Sequence, residues 1–167
     1  MPLSESPVSN RGYEISKNNR PATAVSLNDV FRESMKRVQA RPGQPDVIVR
    51  CESLPFIRTS KDEMIAVFES LITMIFNHPA TASKLFLYID CEESKESQPL
   101  SEEKGEWKYF VIRFYTNITT DKGWMDTNEA VLEKCRQVVA SQQGTLVVNS
   151  IVNTGCLYTI LLPGKPQ

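Results

Sequence analysis

Histidine is almost missing from this sequence: His78 is the only one in 167 residues. The four cysteines, Cys51, Cys91, Cys135 and Cys156, stand far apart, and none forms a C-x-x-C pair. Zinc centres draw on closely spaced Cys and His ligands, and nothing here has that spacing, so no metal site is expected. The cysteines read instead as reduced core thiols of a cytoplasmic protein. Net charge is lacking too, since 19 Lys and Arg against 20 Asp and Glu leave −1 at pH 7. A domain that grips nucleic acid with a whole face is basic, so no nucleic-acid partner is expected, and nothing draws the chain to an anionic membrane. No run approaches the roughly 18 apolar residues that span a bilayer. The opening MPLSESPVSNRGYEISKNNRP has no apolar segment of the kind found in a secretory signal.

What the chain does have is an ordinary globular composition, 41% hydrophobic and 23% charged. A chain of this length buries a full core without staples. Residues 1–22 are polar and carry Pro2, Pro7 and Pro21. They read as a mobile or peripherally docked tail ahead of one domain over 23–167.

Ser26 opens the first convincing element as an N-cap, with Asp29 in the first turn and Leu27, Val30, Phe31, Ser34, Met35 and Val38 at helical spacing. Pro42-Gly43 ends it. Residues 46–51 read as a strand. Ser60-Lys61-Asp62-Glu63 is a capping box, followed by Met64, Val67, Phe68, Leu71, Ile72 and Ile75 on one helical stripe that Pro79 closes. Residues 84–90 and 107–116 read as strands joined by a charged, solvated loop over 92–106. Residues 117–125 read as irregular. Asp126-x-x-Glu129 opens a third helix reaching Ser141, and Gly144 is expected to cap it in a left-handed conformation. Strands over 145–150 and 156–162 close the domain around the turn Asn153-Thr154-Gly155. Three helices and five strands in this order predict an α/β (α+β) two-layer sandwich, a mixed five-stranded sheet with the helices on one face.

Three strings, in the right order on the right elements, resemble the ATP-binding domain of sensor histidine kinases, the GHKL family. Residues 131–146, VLEKCRQVVASQQGTL, are similar to its L-A-I-x-R-x-[IL]-V-x-x-H-G-G-x-[IL] helix-to-strand junction. Residues 153–163, NTGCLYTILLP, are similar to its G-x-G-[ST]-x-F-x-[IL]-x-L-P ending. Leu54-Pro55 with residues 60–78 resembles the family's long helix and its approach. The likeness runs from about Ser26 to Pro163 and implies the family's fold.

The positions that carry the family's chemistry differ. The resemblance puts Met74 where the family has its Mg²⁺-ligating asparagine and Ser70 at the earlier asparagine, and a thioether does not bind a hard cation that takes oxygen ligands. The D-x-G-x-G stretch, whose aspartate holds the adenine amino group, becomes Thr116-Asn117-Ile118-Thr119-Thr120, and Ile118 resists backbone angles open to glycine. Glu129 stands in place of the phosphate-binding G-x-G-L-G, where its charge repels phosphate. Bare backbone N–H groups cradle phosphate, yet of seven glycines only Gly123 lies in that region. No ATP and no other cofactor is therefore expected.

His78 falls at the family's K-H helix end, but the family's phosphoacceptor stands on a separate helical hairpin that this chain lacks. It reads as a capping or surface residue. Asp62, Glu63 and Glu69 have no paired base nearby and read as a solvated face. Trp107 reads as strand packing. Trp124 and Met125, in a shortened lid, are candidates to fill a collapsed groove or to anchor a partner, as tryptophan often does. Arg32, Lys36 and Arg37 on the first helix are further partner-binding candidates.

The expectation is a non-catalytic binding or regulatory module in two-component signalling, with no catalytic residue and a protein partner, a second copy of the chain included. Two alternatives stay open. One is a kinase or ATPase domain with an altered ATP pocket; the other is a phosphotransfer protein whose ATP domain has decayed.

Overall fold

Seven strands form one sheet in a computed structural model of the chain, which describes residues 24–39, 46–77, 84–94, 108–119, 122–151 and 154–165. The elements run β1 (Ala24–Ser26), α1 (Leu27–Gln39), β2 (Val47–Cys51), β3 (Phe56–Arg58), α2 (Lys61–Phe76), β4 (Leu85–Glu93), β5 (Lys108–Thr116), α3 (Lys122–Thr127), α4 (Glu129–Ser141), β6 (Thr145–Ile151) and β7 (Gly155–Lys165). The sheet is mixed: β2 pairs parallel with β4, and every other pair is antiparallel. Its order is β1-β3-β7-β5-β4-β2, with β6 also on β7. β7 is the hub. One edge takes β5, while the other takes β6 along residues 155–161 and β3 at residues 164–165.

Alternation along the central strands divides the two faces. Leu85, Leu87 and Ile89, then Phe110, Ile112 and Phe114, then Cys156, Tyr158, Ile160 and Leu162 are buried on the helix side. The apolar stripe of α2 lies on them, and Phe68 meets Phe114 edge to face with ring centroids 5.1 Å apart. α1 and α4 flank α2. The helix starts act as the sequence suggests: Ser26 Oγ accepts from the Asp29 amide at 3.4 Å, and Ser60 Oγ accepts from the Glu63 amide at 3.4 Å.

The structure corrects four sequence expectations. The described residues form seven strands, not five, because β1 and β3 are three residues each, too short to show a period. The described residues form four helices, because residues 122–127 make a short turn of helix; Asp126 belongs to it, paired with Lys122 at 3.0 Å, and the next helix begins at Glu129. β4 runs on to Glu93 rather than giving way to loop at 92, since Glu92 pairs with Arg113 at 3.3 Å and Glu93 with Lys108 at 3.1 Å across the hairpin. The left-handed residue after α4 is Gln143, with φ 68°, and not Gly144.

That junction is a Schellman cap: the Gly144 amide donates to Val139 O and the Gln143 amide to Ala140 O. Gly144 serves a different purpose there. A Cβ on it would lie 2.1 Å from the Leu161 carbonyl oxygen. The tail 1–22, His78, residues 95–106 of the expected loop, Trp107, Thr120 and Asn153 lie outside the described residues.

Candidate functional site

Met74 lies near the end of α2, one turn after Ser70, on the face that α2 turns toward the sheet and α4. It is 6% exposed and belongs to the continuous apolar core. Ser70 is half-buried, and its side chain hydrogen-bonds the Cys135 thiol on α4. Burial raises the pKa of that thiol and the Ser70 bond opposes the shift. Neither side chain is arranged to hold a cation.

Thr116 ends β5 between Leu87 of β4 and Cys156 of β7. Its hydroxyl is buried and accepts from the Ile118 amide at 3.3 Å. Ile118 is 7% exposed, in the core. Among the described non-glycine residues only Gln143 has a positive φ, so the chain passes 118 along an ordinary path, which isoleucine tolerates. Two further contacts hold this corner. Asn117 accepts from the Phe86 amide at 2.8 Å and donates to Lys84 O at 3.2 Å. Gly155 lets the start of β7 approach so closely that a Cβ there would sit 1.8 Å from Thr116 O.

Trp124 and Met125 on α3 are half-buried and packed against the same core. Asn128 Nδ2 donates to Trp124 O at 2.9 Å, and the Thr127 hydroxyl donates to Gly123 O at 2.9 Å, which hold that short turn together. Glu129 opens α4, where a carboxylate suits the positive end of the helix. It binds Arg136 Nη1 at 2.8 Å, and Glu133 reaches the same nitrogen at 3.3 Å.

Met74, Ile118, Trp124 and Met125 are thus brought to one core, with Thr116 buried at its margin. Arg32, Lys36 and Arg37 are not brought there; they lie on the far flank of α2. Arg32 pairs with Asp29, Arg37 reaches Glu33 at 3.8 Å and Glu69 at 3.7 Å, and Lys36 is exposed. No group of three or more His, Cys, Asp or Glu among the described residues is placed to hold a metal.

Sequence reasoning missed one surface. On the outer face of β2 and β4, Ile48 and Phe86 are each 46% exposed. Ile48, Arg50, Phe86, Leu87 and Tyr88 line an open hollow of about 320 Å³. Arg50 lies over the Tyr88 ring at 5.7 Å, and Tyr88 stacks on Tyr115 at 5.7 Å. The available signal was apolar residues at both parities of 47–49 and 85–89, which a one-sided strand does not need.

The mycobacterial sensor histidine kinase MprB superposes with a TM-score of 0.63 at 12% identity, over 88% of this chain and all of that one. The nucleotide-free catalytic domain of histidine kinase ThkA gives 0.58 at 14%, over 88% of this chain and 98% of that one. The Acinetobacter baumannii histidine kinase AdeS gives 0.58 at 12%, over 84% of this chain and 66% of that one. The fold is that of histidine-kinase catalytic domains. No family model and no curated protein matches the sequence. Among the described residues no helix is long and apolar enough to cross a membrane.

Proposed function

We propose that this chain is a histidine-kinase-type ATPase domain that no longer binds ATP and serves as a protein-binding, regulatory module in two-component signalling, in the cytoplasm. The observation that carries this reading is the use of the groove positions as core. Met74 and Ile118, at the positions matched to the metal-binding asparagine and the first loop glycine, are packed among apolar residues. Thr116, matched to the adenine-binding aspartate, spends its hydroxyl on the neighbouring backbone. Glu129 adds a carboxylate where phosphates would need bare amides.

Trp124 and Met125 pack against this core and are half-buried, so part of each stays accessible to a partner. The basic residues of α1 form a second surface on the opposite flank. The signalling context comes from the fold's relatives, and the loss of ATP binding from the residues themselves. Calorimetric titration with ATP and ADP, with and without Mg²⁺, tests the reading. No saturable heat and no nucleotide-dependent rise in Tm are expected. Saturable binding at micromolar nucleotide would put an altered ATP pocket in its place.

A further inference from the structure

Among the described residues, strand β2 has a strand partner on one edge only. The Leu85 amide donates to Asp46 O at 3.1 Å and the Glu52 amide to Ile89 O at 2.8 Å, so the peptide groups of the even-numbered residues point at β4. Backbone direction alternates along a strand, so those of Val47, Val49 and Cys51 point the other way. Among the described residues no strand pairs with that edge. The edge is flanked by the exposed apolar pair Ile48 and Phe86, which sit opposite each other in register. Sheet edges with apolar flanks are sites where strands add.

The sequence along this edge, Asp46-Val47-Ile48-Val49-Arg50, is complementary to itself when reversed. An antiparallel pair centred on Ile48 sets Ile48 against Ile48, Val47 against Val49, and Asp46 against Arg50 twice over. The backbone geometry agrees with that register. Val47 and Val49 carry the outward-pointing peptide groups, so they form the hydrogen-bonded pairs. Ile48 falls at a non-hydrogen-bonded pair, where opposing side chains come closest, about 4.5 Å between Cα atoms. Shifting the centre to Val49 would oppose Asp46 with Glu52 and Ile48 with Arg50, and like charges opposite one another repel.

We infer that two copies of this chain associate edge to edge through β2, antiparallel about a two-fold axis at Ile48, joining their sheets. Charge complementarity selects a second copy over an unrelated strand, because one segment supplies both the acid and the base. Arg50 is available for this. Its side chain is 76% exposed, and its two present contacts, the exposed pair with Glu52 at 3.2 Å and the Tyr88 ring at 5.7 Å, are of little energetic weight. The two hollows lined by Ile48, Phe86 and Tyr88 would then adjoin across the axis and bury their apolar walls.

Sedimentation equilibrium of the full chain over a wide concentration range tests this. A reversible dimer is expected for the unaltered protein. Ile48→Lys should leave only monomer. Asp46→Arg and Arg50→Asp should each raise the dimer dissociation constant about tenfold or more, since each replaces two attractive pairs with two repulsive ones. The double variant, with the charges exchanged, should recover most of the lost affinity. All three side chains are exposed, so circular dichroism should barely change, and neither should Tm at concentrations where the unaltered protein is monomeric. A monomer at every concentration, a dimer indifferent to Ile48→Lys, or a double variant as weak as the singles would each overturn the inference.

Discussion

Replacing Met74 by alanine separates a packed core position from a lining residue of an open groove. The side chain is 6% exposed and surrounded by the apolar core. Truncating a buried methionine to alanine removes transfer energy and leaves a cavity, together about 2–5 kcal/mol. A value near the middle, about 3 kcal/mol, lowers Tm by about 6–12 °C for a domain of this size. Urea unfolding followed by tryptophan fluorescence and by far-UV circular dichroism measures it, with coincident transitions checking two-state behaviour. A loss below about 1 kcal/mol would refute the reasoning, because a residue facing solvent in a groove gives up little. Met74→Asn sharpens the test by supplying the oxygen ligand that the resemblance finds missing. It should destabilise at least as much as alanine, since a buried amide without partners costs about 1–3 kcal/mol. Mg²⁺ and ATP should not restore the stability. Restoration would mean that the rest of an ATP site is intact.

Two further predictions concern the cap after α4 and the thiols. Gln143→Gly should stabilise by about 1 kcal/mol by relieving its left-handed backbone, whereas Gly144→Ala should destabilise by about 3 kcal/mol, because the new Cβ meets the backbone of β7 rather than a movable side chain; urea midpoints decide both. Burial, and after it the charges of Glu52 and Cys91, pushes the Cys51 thiol up to about 12 from 9.0, so the folded state holds its proton where the unfolded chain has released it. The Cys51 contribution to stability is then constant well below pH 9 and falls as pH rises from 9 toward 12, and a rise over that window in a denaturation series would contradict it.

The layer architecture was legible because its main elements carry period and punctuation together. α2 has its capping box and stripe, and the hairpin of β6 and β7 has a turn between alternating strands. β1 and β3 were not legible, since three residues are too few to repeat and their place is fixed by pairing with each other and with β7, far away in sequence. The end of β4 was misjudged because Glu92 and Glu93 look like loop residues until the facing Arg113 and Lys108 are known. For the candidate site, the resemblance named the positions to look at, Met74 at the asparagine and Ile118 at the loop glycine. Whether Met74 and Ile118 line a void or fill it depends on how α2, α4 and the corner after β5 close together. The outer-face surface at Ile48 is not legible in the sequence because a one-sided period marks only the buried face.

The position of β7 in the sheet also sets a timetable. A strand that holds β5 on one edge and both β6 and β3 on the other is made after all of them. While the ribosome is still short of residues 155–165, β4 and β5 can pair and α1 can settle on α2. β3, with β1 attached, has no place in the sheet until Gly164 and Lys165 appear. The nascent domain therefore waits with the apolar face of α2 only partly covered, and closure of the fold is a late, long-range event of the kind that folds slowly and leans on chaperones.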